Sequence, residues 1–147
     1  MKADYDLAGR VIGLAMTVHR APGAGFIEGV YKKALQHEMI KAGLHVELEA
    51  PIKVYYDGIV VGNYFADLVV DDELIVEIKA AASLLPTQEV QLVNYLAATG
   101  KNEGVLLNFG AKSLEFKKKF RAYKPDTSGD VYLHENSVNF VNSVNSV

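Results

Sequence analysis

The chain has 147 residues, half of them apolar and 22% charged, with a net charge of −3 and no cysteine. That length and composition suit one domain with one core, and they exclude a disulfide frame, a thiolate nucleophile and a Cys-type zinc site. No apolar run nears the roughly 18 to 20 residues of a membrane span, the N-terminus lacks the pattern of a secretory signal, and His19, His37, His45 and His134 show no ligand spacing, so a soluble, cytoplasmic protein is expected.

Residues 4–19 place Leu7, Val11, Leu14 and Val18 at helical spacing behind two candidate caps, Asp4 and Asp6, which predicts an amphipathic helix. Ala21-Pro22-Gly23-Ala24-Gly25 breaks it, and His19 is expected to pack under this turn. A second helix is predicted over 26–42. Ile27, Val30, Tyr31, Ala34 and Leu35 form its core side, Lys32, Lys33 and Lys41 its polar side, and Gly43 its stop. The period then shortens to two. Segments 46–56 and 59–70 are rich in Val, Ile and Tyr, and Asp57-Gly58 between them signals a tight hairpin. Asp71-Asp72 turns the chain into a third strand, ELIVEIKAA, over 73–81. Pro86 opens a third helix that runs through Thr99, with Thr87 as candidate cap and Gly100 as stop. EGVLLNF, 103–109, is the continuous apolar run of a fully buried strand. The order predicts an α/β sandwich whose last crossover is parallel and right-handed.

Segment 112–124, KSLEFKKKFRAYK, sets Lys112, Lys117, Lys118, Lys119, Arg121 and Lys124 against a single acid, Glu115. By itself it is read first as a solvated edge strand or helix, where lysines prevent edge pairing, with a ramp facing phosphates as the alternative. From Asn136 the chain repeats in threes, NSV-NFV-NSV-NSV. A domain over 1–124 and a flexible low-complexity tail over 125–147 are expected.

The strand ELIVEIKAA carries two charges where a core strand should carry none. Side chains alternate along a strand, so Glu77 and Lys79 project together with Ile75, away from Leu74, Val76 and Ile78. Burying either charge alone costs several kcal/mol, so both need partners or water. A mutual ion pair would satisfy them, but the preceding strand adds Asp67 inside another apolar run. The turn at 71–72 brings residue 67 close to residue 76 or its neighbour. Asp67 and Glu77 could therefore converge on one hard cation. Two carboxylates plus waters suit Mg²⁺, and an adjacent lysine could orient a water or stabilise charge developing on a phosphate.

Asp67, nine intervening residues, then Glu77-x-Lys79 resembles the active-site signature of the PD-(D/E)xK nuclease superfamily. Gly25-Phe26-Ile27-Glu28-Gly29-Val30-Tyr31 matches the motif that names the GxxExxY family within it. The resemblance extends over roughly residues 5–110, through VHRAPGAGFIEGVY, the YYDG hairpin, ADLVV, IVEIKA, QLVNYL and GVLLNF. It implies a restriction-endonuclease-like αβββαβ core with a mixed central sheet flanked by helices. By position it also implies Mg²⁺, with Mn²⁺ as a substitute, held by Asp67, Glu77 and the Ile78 backbone carbonyl. Lys79 would position the attacking water or stabilise the transition state, and Glu28 would approach the metal directly or through water. Gln91 and Tyr95, four apart and hence on one helix face, match a QxxxY element that braces the site or touches substrate in some members. Tyr31 would support the same site. The signature's proline is Ala66 here, at a position that carries no chemistry.

The implied function is a Mg²⁺-dependent nuclease acting on nucleic acid, DNA rather than RNA, with weak sequence preference. Lys112, Lys117, Lys118, Lys119 and Arg121, helped by Lys32 and Lys33, would grip the phosphate backbone. The alternative is a non-cleaving nuclease-fold binding or assembly module, which the acidic net charge and the lack of a separate reader domain favour. A homodimer through the edge after Phe109, or a targeting partner, is compatible with either. Glu28 also suits a helix first turn, where a carboxylate complements the positive dipole end. Gln91 and Tyr95 also suit a buried amide and phenol that satisfy each other.

Overall fold

A computed structural model of the chain describes residues 6–121; Asp4, Lys124 and the tail expected over 125–147 lie outside the described residues. Helix α1 spans Leu7–Arg20, α2 Glu28–Lys41 and α3 Pro86–Thr99. The strands are β1 Val46–Tyr56, β2 Ile59–Val70, β3 Leu74–Lys79, β4 Glu103–Asn108 and β5 Glu115–Phe120. They form one mixed sheet in the order β1-β2-β3-β4-β5, antiparallel except for the pair β3–β4 that α3 connects. This is the restriction-endonuclease-like α/β core. The segment after Phe109 becomes β5, which pairs with β4 and forms that edge of the sheet.

Two cores make three layers. On one face α1 and α2 bury Val11, Ala15, Tyr31 and Leu35 against Leu68, Val76, Ile78 and Leu107. On the other, α3 buries Leu92, Tyr95 and Leu96 against Ile75, Leu106 and Ala66. The alternation in β3 is as expected: Leu74, Val76 and Ile78 face α1 and α2, and Ile75 faces α3.

Helix ends follow local chemistry. The Asp6 carboxylate accepts from Gly9 N–H at 2.8 Å, a cap worth about 1 kcal/mol. Thr87 is not the cap of α3. Pro86 holds the first helical position, so Leu85 becomes the capping residue, and the Gln88 side chain accepts from Leu85 N–H at 2.8 Å. Helix α2 begins at Glu28, later than expected, and buries Tyr31, Leu35 and Met39. Ile27 and Val30, expected on its core side, are exposed, because residues four apart carry the contact and Ile27 precedes the helix.

Asp57 and Gly58 both have positive φ, 54° and 79°, the backbone that a two-residue hairpin with right-handed twist requires. Strand β3 pairs with β2 only through Leu68–Val76, Val69–Ile75 and Val70–Leu74. The longer β1–β2 ribbon continues alone past Leu68 and carries the exposed Tyr56, Ile59, Val61 and Phe65. Leu48 and Leu68 pack toward α1 and α2, whereas Ala50 and Ala66 pack toward α3. Residues two apart normally share a face. The left-handed backbone of Glu49, φ 51°, marks the crossing in β1. Asp67 stands opposite it, at the point where β2 leaves β3.

Candidate active site

Where the backbone ladder of β2 and β3 ends, two carboxylates replace it. Asp67 N–H donates to Glu77 Oε2 at 2.9 Å, and Ile78 N–H donates to Asp67 Oδ2 at 2.7 Å. The register 68↔76 places 67 opposite 77, one step beyond the expected level. A residue's N–H and C=O leave a strand on the same side, so the Ile78 carbonyl faces this gap as well. Glu77 is buried, and Lys32 and Asp67 keep about a fifth of their side chains exposed.

The electrostatics follow from that crowding. Burial, reinforced by the Asp67 charge, pushes the Glu77 carboxyl up to about 8, against the Asp67 hydrogen bond and the charges of Lys79 and Lys32. The Tyr95 hydroxyl is pushed up to about 12, first by burial and then by the negative charge of Glu77. Its ring lies 5.7 Å from that of Tyr64 on the β2 ribbon. Half-buried Gln91 stands one helical turn before Tyr95. Asp67, Glu77, Lys79 and Tyr95 thus share one electrostatic neighbourhood at the end of β3.

The other expected site residues are more dispersed. Glu28 opens α2 and is exposed, and among the described residues no group of three His, Asp or Glu lies close enough to hold a metal ion, so Glu28 does not join the carboxylate pair. Tyr31, three residues on along α2, is fully buried. Its hydroxyl donates to Gly23 O at 2.5 Å and accepts from Phe26 N–H at 3.1 Å, and its ring stacks on Phe109 at 4.7 Å. Tyr31 therefore pins the loop leading into Glu28. His19 packs beside Phe109 with Nε2 3.0 Å from Ala111 O, and its own carbonyl accepts from Gly23 N–H, which keeps it under the turn.

The basic segment divides between faces. Lys118 approaches Asp6 at the start of α1 at 3.9 Å, while Lys119 pairs with Glu89 on α3 at 3.0 Å. Register through Leu106 sets Lys117 in the same cross-strand row as Glu77, two strands or about 10 Å away. Arg121 donates to Asn102 Oδ1 at 2.9 Å, and Lys112 and Lys33 are exposed.

Two groups at the site escaped the sequence reading. Glu49 and Asp67 both accept from Lys32, the latter at 3.4 Å. Burial works to lower the Lys32 pKa, but the Glu49 hydrogen bond and the two carboxylate charges outweigh it and raise it. Glu49 had no distinguishing signal, since it alternates with Glu47 like any solvent-facing residue. The second is Asn108, fully buried beside Lys79 in the β3–β4 register. Its Oδ1 accepts from Ala81 N–H at 2.9 Å and Gly110 N–H at 3.0 Å, and its Nδ2 donates to Ala81 O at 2.9 Å and Glu115 Oε1 at 2.8 Å. The only sequence sign is an amide in a wholly apolar run.

A mixed sheet with helices on both faces, and two acids meeting where its third strand loses its neighbour, defines a nuclease-like α/β protein. The sequence profile of the PD-(D/E)XK nuclease superfamily matches residues 5–120. The chain belongs to that superfamily. Among solved structures, the alkaline exonuclease LHK-Exo from Laribacter hongkongensis in complex with dAMP is similar at a TM-score of 0.51 and 14% identity. That match covers 96% of this chain and 80% of that one. Another structure of the same exonuclease gives 0.49 and 13%, over 95% and 81%. At such identity the likeness concerns the fold. No curated protein matches.

Proposed function

We propose that the chain is a Mg²⁺-dependent nuclease of the GxxExxY type, hydrolysing phosphodiester bonds at Asp67, Glu77 and Lys79. The observation that supports it most is the carboxylate pair itself, two acids in adjacent core strands, where the Asp67 charge adds to the burial that pushes Glu77 up. A purely structural core gains nothing from such repulsion, whereas a divalent cation would relieve it. Hard oxygen donors are also the right chemistry: Asp67, Glu77 and the Ile78 carbonyl fit Mg²⁺ or Mn²⁺. When bound, the cation supplies charge neutralisation to phosphate oxygens.

The chain's own groups do the rest. Lys79, on the same face as Glu77, holds the attacking water or meets negative charge growing on the phosphate. Water oxygen bonds to phosphorus and gives up a proton to solvent, the ester P–O bond breaks, and the leaving alkoxide takes up a proton from solvent. Asp67 keeps its orientation through Ile78 N–H, and Glu77 through Asp67 N–H. Tyr95 and Gln91 wall the pair on the α3 side. Nucleic acid, DNA in preference to RNA, meets the exposed Lys117, Lys112 and Lys33, with weak sequence preference. Glu28 reaches the site only through water.

Incubation with supercoiled, linear and single-stranded DNA and with RNA, in Mg²⁺, Mn²⁺ or chelator, tests this. Metal-dependent cleavage lost in Asp67→Ala and Lys79→Ala is expected; cleavage undiminished in both would refute it. The second reading, a non-cleaving assembly module, draws on the exposed apolar ribbon of Tyr56, Ile59, Val61 and Phe65. It requires that no substrate be cut under any of these conditions.

A further inference from the structure

Lys32 is not a free surface lysine. Its backbone is fixed by Tyr31, the preceding residue, whose ring and hydroxyl are anchored on Phe109 and Gly23. Its side chain is only 19% exposed and reaches across to the gap in the β1–β2 pairing between Leu48–Leu68 and Ala50–Ala66. There the ammonium contacts Asp67 Oδ1 at 3.4 Å and, on the other side, Glu49 Oε2. The other Asp67 oxygen is already taken by Ile78 N–H. Both Asp67 oxygens are therefore engaged within the chain. Glu49 differs from Asp67 in being 55% exposed, on a residue held in left-handed backbone. Water offsets part of its charge, so it can hold the ammonium at little cost.

We propose that Lys32 is a positioning residue, the resident counter-ion of Asp67, which competes with the divalent cation for Oδ1 and, when the cation binds, gives up Asp67 and keeps only its bond to Glu49. The inference rests on the reading of Asp67 as a metal carboxylate. It assigns Lys32 to the control of metal occupancy rather than to a grip on phosphates. It also gives Glu49 a role, as the carboxylate that retains the ammonium once Asp67 is released. The ammonium and the cation seek the same oxygen, so removing the first must strengthen the second.

Calorimetric titration of the full chain with Mn²⁺ tests it through affinity alone, without reference to catalysis. Lys32→Met keeps the aliphatic stem and deletes the charge; it is expected to bind Mn²⁺ about tenfold more tightly than the parent, a coupling typical of neighbouring charges. Glu49→Gln leaves Lys32 only Asp67, and is expected to bind about threefold or more weakly. Opposite signs from two charge-neutralising changes are difficult to obtain from general damage to the fold, and the Glu49 variant carries the test if Lys32→Met does not fold. Unchanged or weaker binding in Lys32→Met, or tighter binding in Glu49→Gln, overturns the competition. Asp67→Asn separates the two layers. If it abolishes Mn²⁺ binding while Lys32→Met changes nothing, the competition fails and the metal reading stands. If Mn²⁺ binds equally well to Asp67→Asn, or to neither the parent nor Lys32→Met, both fall.

Discussion

Replacing Glu77 by Gln should make the metal-free protein more stable in alkali while leaving it unchanged in acid. Glu77 stands at about 8 in the fold against an ordinary 4.5, so between those pH values the folded chain holds a proton that the unfolded chain has released. Stability then falls as pH rises, because each step of deprotonation favours the unfolded state. At about 1.4 kcal/mol per pH step, the full window is worth up to about 5 kcal/mol, complete below 4.5 and lost above 8. The amide introduced by Glu77→Gln would keep an oxygen for Asp67 N–H and remove the titration. Urea denaturation of both proteins in chelator, from acid to mild alkali, should show the parent losing stability on the way up and the Glu77→Gln curve staying flatter. Parallel curves would refute the reasoning, since they would mean that Glu77 ionises without penalty in the fold.

The same proton predicts that Mn²⁺ binding at neutral pH releases about one proton per site, read from calorimetry in buffers of different ionisation enthalpy; no release would contradict it. Tyr31→Phe strands Gly23 O and Phe26 N–H, so a loss of about 1–3 kcal/mol is expected in denaturant titration, and a loss below about 0.5 would show that water replaces the hydroxyl. Gly110→Ala would set a Cβ 2.4 Å from Ala81 N and 2.5 Å from Ala81 O, which forces the backbone just past Lys79 to move. It should cost about 2 kcal/mol or more and reduce cleavage, whereas an unaltered melting temperature would show that the segment yields freely.

Much of the architecture was visible in the sequence because its signals are local. Asp57-Gly58, Pro86, Gly100 and the change from helical to alternating period each act within a few residues, and they set the elements where the structure has them. Asp67 and Glu77 could be paired because a short turn at 71–72 leaves little freedom in register. What could not be read depends on distant contacts. The burial of Tyr31, Leu35 and Met39 rather than Ile27 and Val30 depends on how α2 lies on the sheet. The switch of faces at Glu49 depends on the β1–β2 ribbon leaving β3, and with it the capture of Lys32. Asn108 is a four-bond clamp only because the chain after Lys79 returns beside β4. The lysines of β5 share a segment, but the strand's alternation sends neighbours to opposite faces, where Asp6 and Glu89 meet them.

Hydrolysis at this site requires a divalent ion shared by Asp67 and Glu77. Anomalous diffraction from crystals grown with Mn²⁺ addresses that directly. A single strong peak within coordination distance of both carboxylates, absent from Asp67→Asn crystals, is the expected result. A peak elsewhere, or full-strength Mn²⁺ binding in solution with none between these two side chains, would contradict it.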